Sequence, residues 1–146
     1  MHDTMVRPGQ VSMVRTDAAL SDGRPTAAAR AWRLVERWES AWNDHDLDAI
    51  LECYRDDVEL RSPFVRWADG ADTGLLRGKA AVGEYFASAL DRFPDLRLDV
   101  RDVVVGPDRV TVYHVGVSNF LSIETMFFDG DGCVRRVDVQ YRASGV

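Results

Sequence analysis

Apolar residues recur at intervals of three and four in the segment that begins near residue 31. This spacing is typical of a helix with one buried face, formed by Ala31, Leu34, Val35, Trp38, Ala41 and Trp42. Turn-forming residues at 43–46 then break the pattern. Asp46 is suited to cap a second helix over residues 47–54, whose apolar face is Leu47, Ile50, Leu51 and Tyr54. The sequence therefore predicts two helices joined by a polar turn, and then a strand at residues 58–61 limited by Pro63.

A third helical pattern follows Gly78 and covers residues 79–93, where Pro94 ends it. From Leu96 the periodicity changes from helical spacing to alternation. Alternation separated by turns predicts four strands, at residues 96–105, 109–117, 121–128 and 133–142. Three helices followed by such a meander predict an α+β domain, with the helices packed on one face of a curved antiparallel sheet.

The first 25 residues differ from the rest of the chain. They are polar, contain Gly and Pro, and show no periodicity. We therefore expect residues 1–25 to form a disordered or loosely attached arm, and residues 26–146 to form a single domain. A lid over a neighbouring pocket is the functional alternative for this arm.

Charge and cysteine content exclude several classes of partner. The formal net charge is -6, whereas nucleic-acid binding requires a basic face. Cys53 and Cys133 match no metal-binding spacing, and we expect both thiols to be reduced and buried. We find no apolar run of membrane-spanning length and no signal-peptide core. These features predict a cytoplasmic protein without metal, cofactor, nucleic-acid or membrane partner.

Four segments, in this order, resemble the SnoaL-like proteins of the nuclear-transport-factor-2-like superfamily. They read AWNDHDLDAILECYRDDVELRSPF, LLRGKAAVGEYFASALDRFPDL, VVVGPDRVTVY and ETMFFDGDGCVRRVDVQY. The resemblance covers residues 31–141. It implies a cone-shaped fold in which helices and a curved sheet enclose an apolar pocket, and it also implies a homodimer. Members of this superfamily include ketosteroid isomerases, polyketide cyclases, epoxide hydrolases and dehydratases.

The site residues of these relatives carry over only in part. The proton-shuttling Asp of ketosteroid isomerases corresponds to Ser62, and their first-helix Tyr corresponds to Trp38. The acid on the last strand of polyketide cyclases falls among residues 137–141, whose inward members are not acidic. Glu124 does match the isomerases' hydrogen-bonding carboxylic acid. The resemblance therefore implies the fold and an acidic residue at position 124. It does not imply the reaction of the ketosteroid isomerases or that of the polyketide cyclases.

Aromatic and apolar side chains on the inward faces of these elements are candidates for a ligand pocket. The expected substrate-binding residues are Trp38, Tyr54, Phe64, Trp67, Tyr85, Phe86, Met126, Val139 and Tyr141. Aromatic walls with a few convergent polar groups are typical of small-molecule pockets. A fully packed core without a cavity is the alternative for the same residues.

His114 and Glu124 are the candidate catalytic residues. If the hairpin between their strands turns about Asn119, they are direct cross-strand neighbours on the pocket side. A one-residue slip would break this pairing. A protonated Glu124 could then donate to a substrate carbonyl, with His114 as the base. A salt bridge that only fixes the register is the alternative.

The sequence thus predicts a protein that binds a small hydrophobic ligand. Our first hypothesis is a cofactor-independent isomerase, cyclase or dehydratase that acts on a hydrophobic carbonyl-bearing metabolite by acid-base catalysis. A non-catalytic ligand-binding module and a dimeric interaction domain are the alternatives. The outer sheet face also predicts a homodimer packed sheet to sheet, because no helix covers its apolar residues Tyr113, Val115, Val117, Ile123 and Phe127.

Overall fold

The computed structural model describes residues 19–65 and 74–143, which form three helices packed against one sheet of six strands. The helices are α1 (Ala27–Asn43), α2 (Leu47–Glu52) and α3 (Lys79–Arg92). The strands are β1 (Tyr54–Arg61), β2 (Leu75–Arg77), β3 (Asp99–Val105), β4 (Arg109–Val115), β5 (Leu121–Phe128) and β6 (Val134–Tyr141). The predicted α+β class is confirmed within these described ranges.

The sheet is mixed, whereas the sequence predicted an antiparallel one. Its strand order is β2-β1-β6-β5-β4-β3. Strands β3 to β6 form the predicted antiparallel meander. However, β1 runs parallel to β6, with Leu60 opposite Val137. Alternation within a strand shows which face is buried but not which distant strand lies beside it, so this pairing could not be predicted from the periodicity.

Helix α1 is the longest element and packs along the inner face of the sheet. The Thr26 side chain caps it by accepting a hydrogen bond from the Ala29 N–H at 3.2 Å. Its apolar stripe is buried as predicted, and Trp38 at its centre is almost inaccessible to solvent. The predicted cap of α2 is also present, since the Asp46 side chain accepts from the Ala49 N–H at 3.1 Å.

The polar turn between α1 and α2 holds the chain that leads into β3. The Asn43 side chain donates to the Leu98 carbonyl at 3.1 Å and accepts from the Leu98 N–H at 2.7 Å. The His45 ring contacts the Leu96 carbonyl at 2.7 Å. These side chains bind backbone groups of Leu96 and Leu98 that would otherwise pair with a neighbouring strand. Strand β3 therefore begins at Asp99, whereas the sequence predicted that it begins at Leu96. They also fix the end of α1 over the β3–β4 edge of the sheet.

Tyr54 lies on a strand, whereas the sequence placed it on the second helix. Helix α2 ends at Glu52, and Tyr54 opens β1 opposite Val134. The expected inward orientation is nevertheless retained, because the Tyr54 side chain is fully buried. The same four-residue spacing to Ile50 fits either element, so the apolar pattern alone did not separate them.

Three sequence predictions concern chain segments and thiols. Trp67 and residues 1–18 lie outside the described residues, so the pocket role of Trp67 and the arm stay predictions. Cys53 and Cys133 are free thiols. Cys53 is buried as expected, whereas Cys133 is only half-buried. No helix in the described ranges is both long and apolar enough to cross a membrane.

Candidate acid-base site

His114 and Glu124 contact each other, although the predicted register is wrong by two residues. His114 pairs with Ser122, and Glu124 pairs with Val112. The two side chains are therefore diagonal and not opposite. A shift of two residues leaves both on the same sheet face, and long side chains can reach a diagonal neighbour. The His114 Nε2 atom lies 2.9 Å from the Glu124 Oε2 atom, within hydrogen-bond distance.

The connection between β4 and β5 sets this register. A short 3-10 turn covers Val117–Asn119. Ser118 and Asn119 both adopt the left-handed conformation, with φ angles of 53° and 61°. Non-glycine residues adopt this conformation with difficulty outside turns, and Asn is among the most tolerant. Two consecutive left-handed residues move the centre of the hairpin back from Asn119, which the sequence did not reveal.

The pair is enclosed by protein. Only 7% of the His114 side chain and 12% of the Glu124 side chain are exposed. The Trp38 ring meets the imidazole edge to face, with 5.5 Å between ring centroids. Burying a carboxylate is strongly unfavourable unless it is paired and hydrogen-bonded. The contact between the two side chains supplies that partner.

Only one nitrogen of the imidazole is occupied by this contact. The other, Nδ1, is buried and has no hydrogen-bond partner among the described residues. Gly116 lies beside it: a Cβ atom there would stand 3.4 Å from Nδ1 and 2.8 Å from Leu98 Cδ2. Any larger residue would have to displace Leu98, so glycine lets Leu98 and the imidazole pack closely at this position.

The charge of the Glu124 carboxylate acts on three tyrosines. Burial raises the pKa of Tyr54 well above its usual value, and the charge of Glu124 adds to the shift. The Tyr54 hydroxyl accepts a hydrogen bond from Trp38 Nε1 at 3.0 Å. Burial also raises the pKa values of Tyr85 and Tyr141, again with a contribution from Glu124. All three phenols thus remain protonated at neutral pH and can act as hydrogen-bond donors.

Ser62 is a polar site residue that the sequence argument did not select. It is buried just after β1, and its hydroxyl accepts a hydrogen bond from the Phe64 N–H at 3.4 Å. It also partly offsets the raised pKa values of Tyr85 and Tyr141. No apolar periodicity indicates that a serine before a proline lies at a site. The one indication in the sequence was that Ser62 occupies the position of the isomerases' Asp, but serine lacks the carboxylate that makes that Asp catalytic.

The predicted lining residues divide into two groups. Val139 lies opposite Glu124 in the sheet, and Phe64 stacks on Tyr141 with 4.3 Å between centroids. These residues border the carboxylate and phenols. Phe86 and Met126 are instead buried in the core, where the Phe86 ring meets Trp42 at 4.8 Å. Trp38 and Tyr54 belong to the same core, so core packing, the alternative for the aromatic set, accounts for these four residues.

A separate cavity opens between α1 and α2, away from the acid-base pair. Its volume is about 410 Å³. It is lined by Glu36, Arg37, Ser40, Ala41, Asp44, Ala49, Glu52 and Cys53. Burial raises the pKa of the Cys53 thiol, so this thiol is a poor nucleophile. None of the predicted site residues lines this cavity.

Comparison with known proteins assigns the chain to a family. The family model described as SnoaL-like domain matches residues 35–145. A SnoaL-like protein of unknown function from Burkholderia thailandensis is 36% identical, with 79% of this chain and 96% of that chain covered and a TM-score of 0.76. No curated protein matches the chain.

Two further structures share the fold at lower identity. TerC, co-crystallized with polyporic acid, is 21% identical, with 77% and 92% of the two chains covered and a TM-score of 0.65. The epoxide hydrolase/cyclase-like enzyme SalBIII, of pyran ring formation in the polyether salinomycin, is 17% identical, with 78% and 92% covered and a TM-score of 0.64. The chain therefore belongs to the SnoaL-like domain family.

Proposed function

We propose that the protein is a cofactor-independent enzyme that moves a proton on a hydrophobic, carbonyl-bearing metabolite, in an isomerisation, cyclisation or dehydration. The observation that supports this most is the buried 2.9 Å contact between His114 and Glu124. An acid and a base that share a proton inside an apolar surround are typical of sites for general acid-base catalysis. The SnoaL-like fold, shared with the cyclase-like enzyme SalBIII, agrees with this reaction class.

The geometry favours Glu124 as the group that faces the substrate. Its Oε2 atom contacts His114, which leaves Oε1 for a second partner. The phenols of Tyr85 and Tyr141 respond to its charge. We therefore assign the direct proton transfer to Glu124 and the role of second proton carrier to His114. This exchanges the two roles expected from the sequence.

The proposed step begins with a substrate carbonyl oxygen bound by the hydroxyls of Ser62, Tyr85 and Tyr141. A C–H bond next to the carbonyl breaks, its electron pair forms the enolate, and the proton passes to the Glu124 carboxylate. Protonated phenols stabilise the negative oxygen by hydrogen bonding. In an isomerisation, the enolate is conjugated with a second double bond, and Glu124 returns the proton to a different carbon. In a dehydration, the enolate electrons form a C=C bond as the C–O bond of a hydroxyl group on the next carbon breaks, and the proton from Glu124 completes the departing water.

Deuterium exchange tests this proposal without knowledge of the natural substrate. The bicyclic ketone 2-tetralone has acidic protons next to its carbonyl, and NMR in D₂O follows their replacement. We expect the protein to accelerate the exchange, and Glu124→Gln to reduce the acceleration by about 10²- to 10⁴-fold. His114→Asn should also reduce it. Both substitutions keep the side-chain shape and remove the titrating group.

Glu59→Gln is the matched control, because Glu59 is a half-buried strand residue that pairs with Arg77 away from the site. It should leave exchange unchanged. If Glu124→Gln and His114→Asn both retained the full rate, the pair would be structural and the catalytic proposal would fail. Binding of 2-tetralone without any accelerated exchange would favour a non-catalytic ligand-binding module.

We also propose that the protein is a homodimer formed through the outer sheet face. Tyr113, Val115, Ile123 and Phe127 are only half-buried on this face. No helix of the described residues packs there, since the inner face carries the buried core. A second copy would cover this apolar surface, with Arg136, Asp138 and Gln140 available for polar contacts.

A further inference from the structure

We propose that Phe120 determines which substrates the site accepts, by stacking on a flat, unsaturated ring next to the reacting carbonyl. This inference rests on the proposed function, because it narrows the substrate from a hydrophobic carbonyl compound to one that also carries a planar ring. Phe120 joins Phe64 and Tyr141 in a cluster of three rings, here called the aromatic rim. Phe120 was not among the lining residues predicted from the sequence.

The three rings of the aromatic rim contact one another. The Phe120 ring meets Phe64 and Tyr141 edge to face, with 6.2 and 6.4 Å between centroids. Phe64 and Tyr141 lie closer together, at 4.3 Å. Edge-to-face rings about 6 Å apart attract one another. The aromatic rim is therefore a packed cluster and not three separate side chains.

The register of the sheet places the aromatic rim beside the acid-base pair. Tyr141 and His114 both lie opposite Ser122, on the two strands that flank β5. Glu124 is two residues further along β5, so both side chains are its diagonal neighbours on the inner face. For His114, this relation gives the 2.9 Å contact with Glu124. The same relation on the other flank of β5 brings Tyr141, and with it the aromatic rim, beside the carboxylate.

Exposure to solvent increases from the acid-base pair to the aromatic rim. His114 and Glu124 are buried, and Tyr141 is half-buried. Phe120 is 37% exposed, and it is the one aromatic among the large apolar side chains that the described residues expose. The aromatic rim therefore lies between the buried pair and the solvent. An apolar surface next to a few buried polar groups is typical of a small-molecule site.

The turn between β4 and β5 holds Phe120 in place. The Phe120 N–H donates to the Val117 carbonyl at 3.0 Å, and the Phe120 carbonyl accepts from the Gly116 N–H at 3.2 Å. The two residues before Phe120 adopt the left-handed conformation, which is strained for residues other than glycine and is frequent at functional sites. Gly116 also lies beside the His114 ring. One short segment thus positions both Phe120 and the imidazole.

A ring that is fixed in this way can distinguish flat ligands from saturated ones. A flat aromatic ring gains from edge-to-face or offset stacking in addition to the burial of its apolar area. A saturated ring of the same size buries a similar area but has no π-system to stack. Phe120 should therefore favour a ketone with a fused aromatic ring over its saturated counterpart. Its effect is on binding, because it contacts the ring and not the reacting atoms.

Equilibrium binding tests the inference without turnover. 2-Tetralone carries a fused aromatic ring, and 2-decalone is its saturated counterpart. Ligand-observed NMR titration measures the Kd of each ketone. We expect the wild type to bind 2-tetralone about 3- to 10-fold more tightly than 2-decalone. Phe120→Leu keeps the apolar bulk and removes the π-system, so it should abolish this preference by weakening the binding of 2-tetralone alone.

Two further variants separate stacking from apolar cover. Phe120→Trp retains an aromatic ring and should retain the preference for 2-tetralone. Val104→Ala is the matched control, since Val104 is an exposed apolar residue on β3 outside the aromatic rim, and it should leave both Kd values unchanged. In the deuterium-exchange assay, Phe120→Leu should raise KM for 2-tetralone about as much as it raises Kd and leave kcat unchanged.

Equal affinity of the wild type for the two ketones, or binding of neither, would overturn the inference. A Phe120→Leu variant with the full preference for 2-tetralone would overturn it as well, because Phe120 would then act only as apolar cover. If the preference is present and depends on Phe120 but the wild type accelerates no exchange, the proposed function fails. The aromatic rim would then stand as a determinant of binding alone.

Discussion

The inner face of the β4–β5 hairpin buries polar side chains, whereas its outer face leaves apolar side chains partly exposed to solvent. The inner face buries the polar side chains of His114 and Glu124, which contact each other at 2.9 Å. The outer face bears apolar side chains such as Phe127, which are half-exposed. A buried polar group needs its one specific partner. An apolar surface can be covered by any neighbour that excludes water.

Flexible charged side chains already cover part of the outer face. The guanidinium groups of Arg109, Arg135 and Arg136 lie 4.6, 5.7 and 5.3 Å from the centre of the Phe127 ring. Contacts of this kind at exposed sites contribute about 0.5–1 kcal/mol each. Thr125 adds a hydrogen bond to Thr111 at 3.0 Å. This cover is adaptable, because long side chains can move away when a partner arrives.

Substitutions that remove a hydrogen-bond partner should therefore be tolerated poorly on the inner face and well on the outer face. Neighbouring residues of one strand, such as Glu124 and Thr125, should respond very differently to loss of their hydrogen-bond partners. Four predictions test this contrast, from the largest expected effect to the smallest.

The largest effect is expected when one member of the inner pair is removed. His114→Leu leaves the Glu124 carboxylate buried without its partner and should lower the free energy of unfolding by about 3–5 kcal/mol. Adding Glu124→Met removes the stranded group as well. The double variant should therefore be more stable than His114→Leu alone. Urea unfolding of the four proteins in this cycle measures the coupling between the two side chains.

The corresponding cycle on the outer face uses Thr111→Val and Thr125→Val. Each change keeps the shape of the side chain and removes one partner of the 3.0 Å contact. Because these hydroxyls are half-exposed, each variant should lose at most about 1 kcal/mol. Equal losses in the free energy of unfolding for the inner and outer variants would contradict the expectation that burial makes the inner pair more sensitive.

Much of this contrast could be predicted from the sequence. Strict alternation along β5 shows that Ser122, Glu124 and Met126 share one face, and the structure buries all three. The predicted contact between His114 and Glu124 is present although the predicted register was wrong, because a shift of two residues leaves every side chain on its predicted face. The register itself depended on two left-handed residues in the turn, for which the local pattern contains no signal.

Other features depend on contacts between residues distant in the chain. The parallel pairing of β1 with β6 brings Ser62 to the site, and no local pattern marks that neighbour. The early end of α2 at Glu52 has the same origin, because Tyr54 pairs with Val134. Tertiary pairing replaced the last helical turn that the apolar spacing predicted.

A smaller effect, on association and not on folding, is expected from the outer face. Phe127→Asp places a charge at the centre of the proposed interface, where it should convert a dimer into a monomer. Light scattering at micromolar concentration measures the change. Phe127→Leu retains apolar area and should stay dimeric. A wild-type chain that scatters as a monomer at this concentration would contradict the dimer itself.

The smallest effect is expected from removing the N-terminal arm. A chain that begins at Arg24 keeps Thr26, the cap of α1. The arm contains too few apolar residues to offset the conformational entropy that ordering would remove. We therefore expect the melting temperature to remain within about 1 °C of the full-length value, since even 1 kcal/mol would shift it by several degrees. Light scattering of the same two proteins should also agree. A drop of several degrees would show that the arm packs on the domain or on a partner subunit.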